Sequence, residues 1–186
     1  MDAAGSAGAL LPATVLVLLP VGDGDPEAPG LPPAEARGLD VHVVPGVSAM
    51  QAAAARLGAP LGHDFCAISL SDNLKPWMLV ARRLRAAADG DFVSALYNPA
   101  SKARPRTIFE TFALLREMKD GVTPVVFARA IGRADERVVV TTLADADPGI
   151  VDMATLVIIG SSETRIVERG GARPWVYTPR RSLQRA

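Results

Sequence analysis

Asp91-Phe92-Val93-Ser94-Ala95-Leu96-Tyr97-Asn98-Pro99-Ala100-Ser101-Lys102-Ala103-Arg104-Pro105-Arg106-Thr107-Ile108, continued through Phe112, Leu115 and Gly121 to Pro124-Val125-Val126-Phe127-Ala128, decides the fold. The mostly apolar residues 91–97 predict a buried strand, and 98–104 a polar loop. From Pro105 the apolar period lengthens. Ile108, Phe112 and Leu115 fall on one helical face, so 105–118 predicts a helix, closed by Gly121. Residues 124–128 are again strand-like. Strand, helix and strand in succession mark an α/β protein with a largely parallel sheet.

Toward the N-terminus the same alternation repeats. Residues 64–70 predict a strand, and Asp72 or Asn73 is placed to cap the next helix, with Pro76 in its first turn. Trp77, Val80 and Leu84 share a face of that helix, and Gly90 ends it. Further back, 41–44 is a short buried strand stopped by Pro45-Gly46. Ser48 with Gln51 forms a capping-box pattern, opening an almost all-alanine helix over 49–57 whose small side chains let backbone or a ligand approach. Gly58 and Pro60 stop it. Toward the C-terminus, strands are expected at 137–141, 156–160 and 175–177, with a short helix near 144–151. An antiparallel hairpin through Gly132-Arg133-Ala134-Asp135 joins the Phe127 and Val139 strands.

Bulk properties narrow the class. The 186 residues are 49% hydrophobic and 22% charged, as in a globular protein. Lys plus Arg and Asp plus Glu balance at 20 each, which gives no case for nucleic acid or an anionic membrane as partner. The single cysteine, Cys66, and two histidines, His42 and His63, argue against a disulfide or a metal site. Cys66 lies in an apolar run, as a buried core residue or a reactive thiol. No apolar run is long enough to span a membrane, and the one before Pro20 lacks the basic flank of a signal peptide, so a cytoplasmic location is expected. Residues 1–40 are dense in Ala, Gly and Pro and carry little periodicity.

Four loops leave strand ends with polar content, where ligands of α/β sheets bind. Pro45-Gly46-Val47-Ser48-Ala49 is either a plain cap or a helix start that presents N–H groups to a ligand. His63-Asp64 and Ser69-Leu70-Ser71-Asp72-Asn73 flank one strand, as turn residues or as acid–base groups. Tyr97-Asn98 with Lys102 and Arg104 suits a ligand bearing carboxylates, or is a solvated loop. The stretch from Arg129 through Ala130 and Ile131 to Arg137 is a charged hairpin, or a small-residue surface for an adenosine. No G-x-G-x-x-G, P-loop or G-x-S-x-G occurs, so nicotinamide, NTPase and esterase readings lose their usual support.

Taken together these loops resemble the tetrapyrrole methylases. Val44-Pro45-Gly46-Val47-Ser48-Ala49 looks like their strand-end adenosylmethionine motif. Leu57-Gly58-Ala59-Pro60-Leu61-Gly62-His63-Asp64-Phe65, Ile68-Ser69-Leu70-Ser71-Asp72, Ala95-Leu96-Tyr97-Asn98-Pro99 with Ser101-Lys102, and Leu156-Val157-Ile158-Ile159-Gly160-Ser161-Ser162-Glu163-Thr164 resemble the precorrin-3B C17-methyltransferases within that group. The likeness implies two α/β domains with S-adenosyl-L-methionine in the cleft between them and the tetrapyrrole above it. It implies cofactor contacts at Pro45, Gly46, Ser48, Ala49, Asn98, Ala130 and Ile131, and acid–base roles for His63, Asp64 or Asp72. Lys102 and Arg104 are expected to hold substrate carboxylates. The implied reaction is methyl transfer to C17 of precorrin-3B with ring contraction to precorrin-4, in cobalamin biosynthesis, by a homodimer.

The likeness divides the chain into a poorly matched segment 1–40, the end of the cofactor domain with its connecting helix at 41–62, a C-terminal α/β domain at 63–179, and a tail at 180–186. The family pattern opens with a strand and a G-x-G-P-G-D-P loop, of which Gly24-Asp25-Pro26 is a superficial echo. The expectation is therefore a chain truncated or altered at its N-terminus, holding the C-terminal domain and a remnant of the first. Two further readings stand beside it: a non-catalytic remnant, and a methyltransferase acting on another corrin precursor.

Overall fold

The computed structural model describes residues 46–71, 75–100 and 106–181. The chain divides after Ser48, and the architecture below is that of Ala49–Ala186. Its elements, in order, are α1 (Ala49–Leu57), β1 (Gly58–Ala59), β2 (Phe65–Ser69), α2 (Trp77–Asp89), β3 (Val93–Tyr97), α3 (Thr107–Met118), β4 (Pro124–Arg129), β5 (Arg137–Thr142), a 3-10 turn (Pro148–Ile150), β6 (Thr155–Ile159), β7 (Arg165–Arg169) and β8 (Ala172–Tyr177). The expected strand at 41–44 and the candidate caps Asp72 and Asn73 lie outside the described residues. Pro76 stands at the N-cap of α2, one residue before its first turn, and supplies no side-chain cap.

A five-stranded sheet runs β2-β3-β6-β4-β5. Its α/β character and mixed strand directions are as expected; only the preponderance of parallel pairs is not. Only β2 and β3 pair in parallel, whereas β6 is antiparallel to both β3 and β4, and β5 is antiparallel to β4. The physical reason lies in the connections. Helices α2 and α3 bring β3 and β4 back in the direction of β2, as crossovers must. No long helix precedes β6; residues 143–154 contain only the 3-10 turn, and β6 enters reversed between β3 and β4. The hairpin expectation holds, with Phe127 opposite Val139.

The strand period of two sends alternate residues to two cores. Leu96, Val125, Phe127, Val157 and Ile159 face α2 and α3, where they meet Val80, Leu84, Ile108, Phe112 and Leu115. The Phe112 and Phe127 rings stack, with centroids 5.9 Å apart. Val93, Ala95, Val126, Ala128, Leu156 and Ile158 face the other way, toward Ala53 and Leu57 of α1 and Val176 of β8. Alanine on both partners, at positions 53, 95 and 128, lets α1 sit close to the sheet, so its small side chains serve packing as well as access.

A second sheet, β1-β8-β7, carries a hairpin that the sequence reading found only in part. Gly170 and Gly171, at φ +45° and +89°, make its turn. Its outer face exposes Val167, Trp175 and Tyr177, with the Arg169 guanidinium 4.4 Å from the centroid of the Trp175 ring. Among the described residues no helix is long and apolar enough to cross a membrane.

Candidate functional site

Strands β2, β3 and β4 all point one way, so their carboxyl ends meet at one edge of the sheet beside the start of β6. Two of these ends leave in an unusual conformation. Asn98, directly after β3, has φ +50°, and Ala130, directly after β4, has φ +51°. Asparagine tolerates the left-handed region; alanine there costs roughly 1 kcal/mol or more. The Ala130 turn is held by hydrogen bonds that it donates to Ala154 O, at 2.9 Å, and accepts from Arg133 N, at 3.0 Å. Such overdetermined strain is found where a backbone is being aimed.

Ala49, Ala130, Ile131, Arg133, Met153, Ala154 and Leu156 line a cavity of about 450 Å³ at this edge. That size lies within the range of small-molecule sites, and the residues that line it are apolar except for Arg133. Tyr97, the last residue of β3, accepts a hydrogen bond from Met50 N through its phenol oxygen, at 3.1 Å. The first turn of a helix has N–H groups without intrahelical partners, and Tyr97 satisfies one of them. Asn98 donates from Nδ2 to Ser69 Oγ at 3.0 Å, tying the ends of β3 and β2. With two strand spacings between β3 and β4, Asn98 and Ala130 stand about 10 Å apart across the sheet.

Ion pairs brace the hairpin that forms the cavity rim. Arg129 donates from Nε to Asp152 Oδ2 at 2.7 Å and from Nη1 to Asp135 Oδ2 at 2.6 Å. Glu136 Oε2 accepts from Gly132 N at 2.9 Å and from Arg56 Nε at 3.3 Å, anchoring the hairpin to α1. The Asp135 carboxyl is held below the usual range, first by its hydrogen bond from Arg129. Thr155 does the same for Asp152, with Arg129 assisting against burial, and the Gly132 N–H leads for Glu136. All three are ionised acceptors at neutral pH, and none is placed to donate a proton.

The structure brings Ala49, Ala130 and Ile131 into one cavity and sets Asn98 at the same edge. Gly46 and Ser48 precede α1 directly in the chain; Pro45, Asp72, Lys102 and Arg104 lie outside the described residues. His63 and Asp64 are elsewhere. They precede β2, at the opposite end of a strand about 16 Å long, where they form a polar hollow with Gly62 and Arg180. His63 Nδ1 is 3.7 Å from Asp64 Oδ2, and the Asp64 side chain is 80% exposed, so water already solvates that acid. Met153 and Ala154 were not singled out from sequence, because the short link between a 3-10 turn and β6 carries no motif. Phenylalanine at position 97 should lower stability by about 1 kcal/mol, since it removes only the cap on Met50 N. Thermal unfolding of Tyr97→Phe measures this; an unchanged melting temperature would show that the α1 start needs no such partner.

The profile of the Tetrapyrrole (Corrin/Porphyrin) Methylases matches residues 33–147. The chain belongs to the tetrapyrrole methylase family. It is 62% identical over 148 residues to a precorrin-3B C(17)-methyltransferase from Sinorhizobium sp, a match covering 80% of this chain and 58% of the relative. It is 44% identical over 140 residues to a probable cobalt-factor III C(17)-methyltransferase of Salmonella typhimurium, covering 75% of this chain and 58% of that protein. Among solved structures, the methyltransferase CobJ superposes with a TM-score of 0.72 at 49% identity, over 78% of this chain and 59% of that one. The chain thus spans somewhat over half the length of these two relatives. The match to CobJ supports the tetrapyrrole methylase fold for this chain.

Proposed function

We propose that the cavity at the carboxyl ends of the strands is one wall of the cofactor cleft of a precorrin-3B C17-methyltransferase. One observation supports this most. Ala49 and the adjacent pair Ala130-Ile131, far apart in sequence and each expected to contact the cofactor, line a single cavity. Its apolar walls and small side chains fit an adenosine body, which needs broad contact and close backbone approach. When bound, S-adenosylmethionine supplies an activated sulfonium methyl group.

The chain's own residues then have positional tasks. Ala49, Ile131, Met153 and Leu156 cover the flat faces of the ligand, Ala130 turns the backbone toward it, and Asn98 fixes the neighbouring loop. Holding donor and acceptor in line is the main contribution a protein can make to such a transfer. Lys102 and Arg104 follow Asn98 in sequence and keep their proposed role of pairing with substrate carboxylates. Of the acids expected to move protons, Asp72 follows the carboxyl end of β2, whereas His63 and Asp64 belong to its other end; the reading therefore favours Asp72. Higher identity to the Sinorhizobium enzyme, 62% against 44%, favours the metal-free precorrin over a cobalt-bound substrate. Homodimer formation belongs to the same reading, with the exposed Val167, Trp175 and Tyr177 face as an apolar surface available for it.

The division of the chain follows from this proposal: residues 41–62 end the cofactor domain, and 63–179 form the C-terminal domain. With one wall of a cleft, the 186-residue chain should bind adenosylhomocysteine weakly, because a ligand half in water gains little burial. Fusing the first-domain half of the Sinorhizobium relative before Val41 should tighten binding by at least about tenfold and yield turnover of precorrin-3B. Titration calorimetry and a methyl-transfer assay test this. A fusion that folds but binds no better than the chain alone would remove the proposal.

A further inference from the structure

We propose that Arg133 is the carboxylate anchor at the mouth of this cavity, an inference that rests on the cofactor reading above. Arg133 is the only charged residue among those that line the cavity. The hairpin around it contains two acids, Asp135 and Glu136, and both are already engaged. Asp135 takes a hydrogen bond from Arg129, and Glu136 takes one from Arg56 and one from Gly132 N. Asp152, the acid on the facing loop, is satisfied by Arg129, Thr155 and Ala154 N. Among the described residues the Arg133 guanidinium has no hydrogen-bond or ion-pair partner and interacts with the Asp135 carboxylate only at a distance.

Its backbone, in contrast, is fixed. Arg133 N donates to Ala130 O at 3.0 Å, and Arg133 O accepts from Glu136 N at 3.2 Å. An exposed guanidinium on a braced turn beside a hollow lined by apolar residues suits a ligand with a flat apolar body and a carboxylate at its edge. Guanidinium meets carboxylate through two parallel N–H bonds, which sets orientation as well as affinity. Two carboxylates can reach such a mouth in this reading: that of the methionyl part of the cofactor, and those on the rim of the tetrapyrrole.

The test uses the 186-residue chain and its Arg133→Ala and Arg133→Lys variants, titrated by ligand-observed NMR. The probes are adenosylhomocysteine, 5′-methylthioadenosine, which lacks the carboxylate, uroporphyrin and its octamethyl ester. If Arg133 holds the cofactor carboxylate, Arg133→Ala weakens adenosylhomocysteine by about ten- to a hundredfold and leaves methylthioadenosine unchanged. If it holds the tetrapyrrole carboxylate, uroporphyrin weakens by the same order, the ester does not, and both nucleosides are unaffected. Arg133→Lys falls between, because a point charge replaces the fork. Arg133→Ala without effect on either carboxylate probe overturns the inference alone. Where the parent chain binds too weakly to read, the same variants are titrated in the first-domain fusion, and failure of both chain and fusion to bind either nucleoside overturns the cofactor reading and the inference with it.

Discussion

Tryptophan at position 154 should abolish adenosylhomocysteine binding, by roughly a hundredfold or more, while the melting temperature stays within about 2 °C of the parent. Ala154 lies on the cavity wall between Met153 and Leu156, and its methyl group is exposed to the hollow. Its structural duties are carried by backbone: N donates to Asp152 Oδ1 at 3.0 Å, and O accepts from Ala130 N at 2.9 Å. A side-chain change preserves both. An indole takes up much of a hollow of about 450 Å³ and stands where the adenosine body would lie. Because the new ring points into open space, overpacking of the core is not at issue. Calorimetry on the parent and variant, as the chain and as the first-domain fusion, reads the effect. Unchanged affinity in both would place the ligand elsewhere.

Asp91→Ala should cost about 3 kcal/mol of stability, the largest single effect outside the two cores. Asp91 joins three elements at the end of the sheet away from the cavity. It accepts from Lys119 Nζ at the end of α3, at 3.1 Å, and from Ser162 N and Oγ in the turn after β6. The Lys119 side chain is only 5% exposed, so removing its carboxylate leaves a cation buried without its partner. The backbone at Asp91, φ +51°, adds a further penalty for alanine, one that Asp91→Asn avoids. Burial by itself would raise the Asp91 carboxyl; the Ser162 hydrogen bonds and Lys119 outweigh it and hold the group below its ordinary value of 3.8. A depressed carboxyl contributes stability above the unfolded value and loses it as pH falls through the folded one. The gap in melting temperature between parent and Asp91→Ala should therefore narrow as pH falls below 3.8. A gap constant from pH 7 to pH 2 would mean that the charge contributes nothing.

Elements with a strong internal period were legible from sequence. Helix α1 has the bounds expected of it, and α3 follows the stripe of Ile108, Phe112 and Leu115. Strands β3, β4 and β6 announced themselves as apolar runs because both of their faces are buried. What an apolar run does not encode is its partner. A strand buried on both faces reads alike in either direction, so the antiparallel entry of β6 was invisible. Strand β7 was missed for the opposite reason: Arg165, Glu168 and Arg169 make it polar, and Gly170-Gly171 was its only sign. In the site, small residues after strand ends pointed to Ala49, Ala130 and Ile131, which share a wall. His63 and Asp64 were expected at the opposite end of one strand from Ser69, and β2 holds them apart in that way.

The reversed strand β6 also dictates how the chain can acquire its shape. Without residues 155–159, β2-β3 and β4-β5 share no pairing, and each has an edge that only β6 covers. Local steps make hairpin and helices early, but the pairings that seal the sheet join Leu96 to Val157 and Phe127 to Val157 at once. One short strand is thus the keystone that joins the two halves of the sheet. Folding is expected to be slow for the size of the sheet, with the closing of a long loop ahead of any reward in hydrogen bonds. The cavity depends on the same strand, since Leu156 stands on it and Met153 and Ala154 directly precede it, so a ligand bound there would hold the joined sheet together.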